Sequence, residues 1–219
     1  MELDDIKIER STTVDRVVEA LRRALFDRKI KPGEQLREMM LAKNFSVSRS
    51  TVREALRVLT ANGLTVYSPN KGVTARRLTP EEIDDIFLTR KVLETAAVNA
   101  RPACRPRHLD ELASAMEDYE AAAASGDTLA TADAHIRFHS TLVGFTGSRR
   151  LMDTERAVMN DLQLVIASID KKRDDLDREI EKHQTLTRLL IDGNHAEALK
   201  WICDDLELAK GFVLKQITG

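Results

Sequence analysis

The sequence predicts a mainly α-helical chain in two parts, a winged three-helix module over residues 1–77 and an all-α antiparallel helical bundle over residues 78–219. Three observations carry this. Apolar residues recur at helical spacing through most of the chain, one short stretch from Leu64 to Arg76 alternates with a period of two, and charge is divided unequally between the parts. Residues 1–77 hold 16 Lys and Arg against 10 Asp and Glu, and the remainder holds 18 against 26. A basic first third joined to an acidic remainder points to two domains, the first facing a polyanion.

Composition narrows the class. At 42% hydrophobic and 32% charged residues the chain has the make-up of a folded, soluble protein rather than a disordered one. Aromatics are only 4%, so the core must be aliphatic. No run approaches the ~18 apolar residues that a membrane span needs. The acidic start, Met1 to Asp5, has no apolar segment of the kind a signal peptide carries. Cys104 and Cys203 lack a CxxC spacing, and no disulfide framework is indicated. A cytoplasmic protein without a membrane partner is expected.

The first helix takes an N-cap from Ser11, Thr12 or Thr13, carries Val14, Val17, Val18, Leu21 and Leu25 on one face, and ends near Lys29 before the Pro32-Gly33 turn. A short second helix follows, with Leu36, Met40 and Leu41 apolar. Asn44-Phe45-Ser46 then leads into a third helix capped by Ser48. Its apolar face is Val52, Ala55, Leu56 and Leu59, and Arg49, Arg53 and Arg57 repeat every four residues beside it. Taken alone this is an ordinary amphipathic helix with a basic edge. Guanidinium forks nevertheless suit phosphates and the guanine edge in the major groove, and a basic second helix after a short turn is the helix-turn-helix arrangement. Leu64 to Tyr67, a Pro69-Asn70-Lys71-Gly72 turn, and Val73 to Arg76 then read as a hairpin. A hairpin in that place is a wing. Gly72 permits close approach to the DNA backbone and Lys71 supplies charge.

The stretch PGEQLREMMLAKNFSVSRSTVREALRVLTANGLTVYSPNKGV resembles the winged helix-turn-helix of GntR-family bacterial transcription regulators. The shared pattern is a Pro-Gly before the second helix, V-S-R-x-x-V-R-E-A-L in the third, "GL" before the wing and Gly at its tip. The resemblance implies DNA contacts from Arg37, Arg49, Ser50, Thr51, Arg53 and Gly72. Two positions depart from it: Ser46 stands where a glycine is usual, and Arg37 where a Ser or Thr cap is common. Ser46 would strain the turn if that position requires a positive φ.

Thr79-Pro80-Glu81-Glu82 combines an N-cap, Pro at the first helical position and Glu three residues after the cap. From there on no strand-like alternation occurs. Breaks near residues 101–102, 105–106, 125–126, 147–148 and 192–193 divide the remainder into helices of an antiparallel bundle. The charged run Lys171 to Asp175 reads as a solvated helix end or loop.

Five histidines are present: His108, His135, His139, His183 and His195. A lone helical histidine is ordinarily a surface or core residue. His135 and His139, four apart, share one helix face at a spacing familiar from metal sites. Asp192-Gly193-Asn194 is a hairpin turn, with Asn194 and Glu197 as a cap. His183 and Asp205 lie equidistant from Asn194 and can face each other across an antiparallel pair. His135, His139, His183 and Asp205 would then form a set of three imidazoles and one carboxylate.

This second part is also similar to the FadR C-terminal domain, FCD, in the R-x3-E of its first helix (Arg90, Glu94), the FH of IRFHSTL and the EKHQTL near the end. Many such domains hold a metal through an Asp four residues before the FH histidine and a His 22 residues after the last one. Here His135 occupies the first of these positions and Asp205 the second, so two ligands are exchanged in type. Zn²⁺, Ni²⁺ and Mn²⁺ all suit such a set, and the adjacent Asp204 is an alternative to Asp205. The resemblance further implies a small organic acid bound near the metal, with Arg90 as its carboxylate partner; a surface salt bridge of Arg90 with Glu94 is the competing reading.

The function expected is that of a ligand-responsive regulator, not an enzyme, binding palindromic operator DNA as a homodimer. Two alternatives belong to different classes: a metal-dependent helical-bundle enzyme, and a regulator whose effector is the metal ion itself.

Overall fold

A computed structural model describes residues 12–168 and 173–218. Helices α1 (Thr13–Phe26), α2 (Glu38–Phe45) and α3 (Arg49–Ala61) precede strands β1 (Thr65–Ser68) and β2 (Gly72–Ala75). Six long helices follow: α4 (Pro80–Ala100), α5 (Pro106–Ser125), α6 (Thr128–Val143), α7 (Arg149–Ser168), α8 (Arg173–Ile191) and α9 (His195–Thr218).

The local chemistry explains the boundaries. Thr12 caps α1 through a reciprocal pair of bonds with Asp15, and Thr79 does the same with Glu82 at the start of α4. The helix α1 stops at Phe26, short of Lys29, with Arg28 at φ 58°. Leu36 is buried but precedes α2, since its backbone N–H donates to Val73 of the wing rather than joining the helix. Met40, expected on the apolar face, is 49% exposed, and Leu41 with Ala42 fill the core instead. Ser46 adopts φ 54° and ψ 41° after α2, the left-handed region that disfavours a residue with a Cβ. Ser48 caps α3 by accepting from the Thr51 N–H at 3.1 Å.

The wing is a two-stranded antiparallel sheet in which Thr65 pairs with Ala75 and Ser68 with Gly72. Gln35 adds a single bridge to Thr74, so the loop before α2 is stitched to the returning strand. Gly72 at φ +78° closes the turn. The apolar face of α3 is the centre of this module: Val52, Ala55 and Leu59 are completely buried, packed with Val17, Leu21 and Leu25 of α1.

In the bundle, α4 packs on α9 and α7, α5 on α6 and α8, and α8 on α9. The span from residue 148 to 192 holds two helices, α7 and α8, in keeping with a helix end at the charged run. A helix of that length would run to ~65 Å, about twice its neighbours, and could not pack antiparallel within one bundle. The helix α8 begins at Arg173, within the charged run; residues 169–172 lie outside the described residues, as does the acidic start of the chain. The final helix begins at His195, with the Asn194 carbonyl accepting from Ala198. Among the described residues no helix is long and apolar enough to cross a membrane.

The two cores meet along α6 and α7. Leu129 of α6 is buried in the N-terminal cluster. Arg22 binds Asp133, which also accepts from Gln163, and Arg23 binds Asp127, the cap of α6. Arg76 lies against Asp161 and Glu82. Gly63 at φ +74° passes so close to α7 that a Cβ there would sit 2.5 Å from Asp161 Oδ1.

Candidate nucleic-acid interface and metal centre

The arginine stripe of α3 points to solvent, because burial of the opposite face leaves it no other direction. The side chains of Arg49, Arg53 and Arg57 are 60%, 52% and 72% exposed. Arg37, Arg49, Arg53 and Gly72 line one concavity between α2, α3 and the wing, together with Glu38 and Tyr67. The hydroxyls of Ser50 and Thr51 lie 2.7 and 2.8 Å from Ser48 Oγ at the start of α3. Gln35 ties this face together, donating to the Lys71 carbonyl at the wing tip and accepting from Arg37 Nε at 3.3 Å. Four of the seven sequence-predicted residues therefore line this concavity, while Ser50 and Thr51 sit at the start of α3 and Lys71 at the wing tip. Glu38, which sequence reasoning passed over, binds both Arg53 and Arg49.

In the bundle, α6 turns His135 and His139 inward on one face and α8 brings His183 to meet them. The three Nε2 atoms lie 3.0–3.1 Å from one another. Their geometry follows from what holds the rings. His183 Nδ1 donates to the Glu179 carbonyl at 2.6 Å, and His139 Nδ1 donates to Glu94 Oε2 at 3.1 Å. A neutral imidazole has one N–H, so in these two rings Nε2 carries the lone pair that faces inward. Burial holds both rings neutral: the pKa of His139 is well below the ordinary value through desolvation, the Arg90 charge and His183, and that of His183 is lowered chiefly by desolvation. Tyr119 stacks on His135 with ring centroids 5.1 Å apart, and Phe138 lies edge-on to the other two rings.

His135 Nε2 can donate a proton to one of these lone pairs or, in the other tautomer, present a third, and in that tautomer the donor set fits a cation. Nitrogens bound at 2.0–2.1 Å are about 2.9 Å apart on the face of an octahedron and about 3.4 Å apart in a tetrahedron, so the observed spacing is nearer the octahedral one. The carboxylate on His139 is the usual outer partner of a metal-binding imidazole.

Asp205 does not join the three imidazoles. It lines the same cavity, but its carboxylate lies 3.0 Å from Lys182 Nζ. Among the described residues, the candidate ligand groups with atoms within 4.8 Å are His135–His139–His183 and Glu94–His139–Glu155. Asp205 and His183 are equidistant from the turn at Asn194, but Lys182, next to His183 in sequence, pairs with the carboxylate instead. Asp204 is exposed, which favours Asp205 as the cavity residue.

Arg90 pairs with Glu94 as the competing reading has it, but not at the surface. The two side chains are 6% and 0% exposed, bonded at 2.8 Å, with the equally buried Glu155 3.7 Å from Arg90 Nε. The Arg90 guanidinium also lies 3.3–3.4 Å from both nitrogens of His139. Burial, and then the neighbouring Glu94 charge, push Glu155 up to about 8, so at neutral pH it is largely protonated. No motif marks Glu155; its position on the inner face of α7 is the only signal. The cavity beside these groups measures about 210 Å³ and is lined, besides the histidines, by Arg90, Arg178, Glu179, Lys182 and Asp205 on its polar side and by residues such as Phe87, Leu162 and Phe212 on its apolar side.

Comparison with known proteins agrees with this architecture. Residues 13–74 match the bacterial regulatory proteins of the gntR family, and residues 85–207 match the FCD domain. The chain is 34% identical over 167 residues to an uncharacterised HTH-type transcriptional regulator of Bacillus subtilis, covering 73% of this chain and 72% of that protein. It is 30% identical over 194 residues to the Nta operon transcriptional regulator of Aminobacter aminovorans, covering 86% and 89%. A solved structure described as a putative transcriptional regulator GntR from Rhodococcus sp. RHA1 superposes with a TM-score of 0.76 at 29% identity, covering 92% of this chain and 97% of that one.

Proposed function

The chain belongs to the GntR family of bacterial regulatory proteins with an FCD domain, and on that premise we propose that it is a homodimeric, cytoplasmic repressor or activator whose operator affinity is set by a metal-assisted organic acid in the bundle. Its matches are transcriptional regulators rather than enzymes. The division at residues 77 and 78 then separates the DNA-binding part from the effector-binding and dimerising part.

One observation carries the input side: three imidazole Nε2 atoms converge in a cavity whose other polar lining combines the cations Arg90, Arg178 and Lys182 with the acids Glu179 and Asp205. His135, His139 and His183 would hold a divalent ion, Zn²⁺, Ni²⁺ or Mn²⁺, with Asp205 reaching it only on release from Lys182. A bound ion supplies a positive centre that a carboxylate can coordinate. Arg178 and Lys182 add charge at the same wall, and Leu162 and Phe212 accommodate an apolar body. Arg90, held by two carboxyl groups, orients His139 and is available to an acid only from its cavity side.

On the output side, Arg37, Arg49, Ser50, Thr51, Arg53, Lys71 and Gly72 form the DNA-contacting set. Two copies related by a two-fold axis would present two α3 helices to half-sites about one DNA turn apart. An outward apolar strip supports pairing of two chains: Leu88 and Val92 on α4 are 61% and 60% exposed, beside Leu208 at 68% on α9. The helix α6 links input and output, carrying His135 and His139 on one face and Leu129 and Asp133 against α1. A shift of α6 on ligand binding would move the DNA-binding modules, with a coupling of ~1–3 kcal/mol.

Calorimetric titration of metal-free protein with Zn²⁺, Ni²⁺ and Mn²⁺ tests the site. One ion per chain is expected, lost in His139→Ala. Failure of all three to bind would retire the metal. Gel-shift titration on a duplex selected from a random pool, with metal alone and with metal plus a panel of organic acids, separates an acid-responsive regulator from a metal sensor.

A further inference from the structure

Among the described residues, Glu38 is the carboxylate that pairs with Arg49 and Arg53 from another helix. It is the first residue of α2, where the helix dipole favours a negative charge. Its Oε1 accepts from Arg53 Nε at 3.1 Å and its Oε2 from Arg53 Nη2 at 2.9 Å, a two-pronged pairing that fixes the plane of the guanidinium as well as its position. Arg49, one turn earlier on α3, brings Nη2 to 3.7 Å from the same Oε2. Arg57, one turn later, pairs instead with Glu54 of its own helix. The Arg53 hydrogen bonds hold the Glu38 carboxyl below the ordinary range, so it stays ionised. An ionised carboxylate on this face works against general attraction to phosphate. What it supplies in return is orientation, since free arginine side chains sample many rotamers and a paired one does not.

We propose that Glu38 is a specificity-determining positioning residue: it holds Arg53, and through the same oxygen Arg49, in one orientation toward base edges in the major groove and withdraws both from indiscriminate phosphate contact. This rests on the reading of α3 as the recognition helix. The consequence is a division of effects that a merely structural ion pair would not produce. Neutralising Glu38 should strengthen binding to unselected duplexes while weakening binding to the selected one, and so reduce discrimination between them.

The test uses the full chain and two duplexes, one selected by the wild-type protein from a random pool and one scrambled sequence of equal length and composition. Affinities over a salt series are measured for the wild type, Glu38→Gln, Glu38→Asp and Arg53→Ala. Glu38→Gln is expected to bind the scrambled duplex about threefold more tightly, with a log K against log salt slope steeper by about one. Its ratio of selected to scrambled affinity should fall about tenfold, with Glu38→Asp between it and the wild type. Thermal unfolding of each variant establishes that the fold is kept, and Glu38→Asp, which keeps the charge, carries the test if Glu38→Gln does not fold. An unchanged or larger ratio in a folded Glu38→Gln overturns the role of Glu38 even where Arg53→Ala abolishes selection. An Arg53→Ala protein that still selects the duplex overturns the recognition-helix reading itself, and the positioning role with it.

Discussion

Two arginine–carboxylate clusters, one on the DNA-binding face and one inside the bundle, use the same groups to opposite ends. Arg53 and Glu38 meet at the surface with side chains 52% and 29% exposed, so water and salt can replace either partner. Arg90, Glu94 and Glu155 meet where exposure is 6% or less, and nothing can replace them. The first cluster can be opened by an incoming polyanion and suits a contact that must form and break. The second must remain closed, and through Glu94 it fixes which nitrogen of His139 faces the cavity. Exposure, rather than residue type, sets whether an ion pair is exchangeable or structural.

The contrast is most easily broken in the bundle. Glu94→Ala leaves Arg90 buried without its closest partner and is expected to cost about 3–5 kcal/mol in urea unfolding, more than any change on the DNA face. A loss below about 1 kcal/mol would place the two clusters in the same class. On the DNA face, Arg49→Ala and Arg53→Ala should each weaken binding to a selected duplex by ~1–3 kcal/mol, with the unfolding midpoint little changed. Unaltered affinity would remove α3 from recognition.

A pH series on metal-free protein sharpens the comparison. The pKa of Glu155 is raised in the fold from an ordinary 4.5 to about 8, so its folded form binds the proton more tightly and its contribution declines as pH rises toward 8. The lowered pKa of His139 acts the other way, increasing stability with pH, but only up to its ordinary value of 6.5. Between pH 6.5 and about 8 the wild type should therefore lose roughly 1–2 kcal/mol that Glu155→Gln does not lose. Parallel curves would mean that Glu155 is ionised throughout. The smallest effect belongs to the N-terminal module: Ser46→Gly relieves the left-handed φ of 54° and should stabilise the protein by about 0.5–1 kcal/mol without altering operator affinity.

Much of the winged module, with the exposed arginines of α3, was legible because its logic is local. The cap at Ser48, the buried stripe Val52–Ala55–Leu56–Leu59 and the arginines at four-residue spacing all follow from one helix and its period. The wing followed from a change of period and a turn at Pro69–Gly72. Glu38 was not legible, since its partners lie 15 residues away on another helix and the crossing of α2 and α3 decides the contact. The start of α8 was legible without a Gly or Pro, because the charged run from Lys171 to Asp175 reads as a helix end.

The sequence by itself determined the helices, the wing, the outward arginines of α3 and the inward pairing of His135 with His139, because period and capping act over a few residues. Only the tertiary structure decided that His183 completes a triangle of nitrogens, that Lys182 holds Asp205 aside, and that Glu94 and Glu155 enclose Arg90. Those contacts join α4, α6, α7, α8 and α9, and their energies depend on burial that no single helix possesses before the bundle closes.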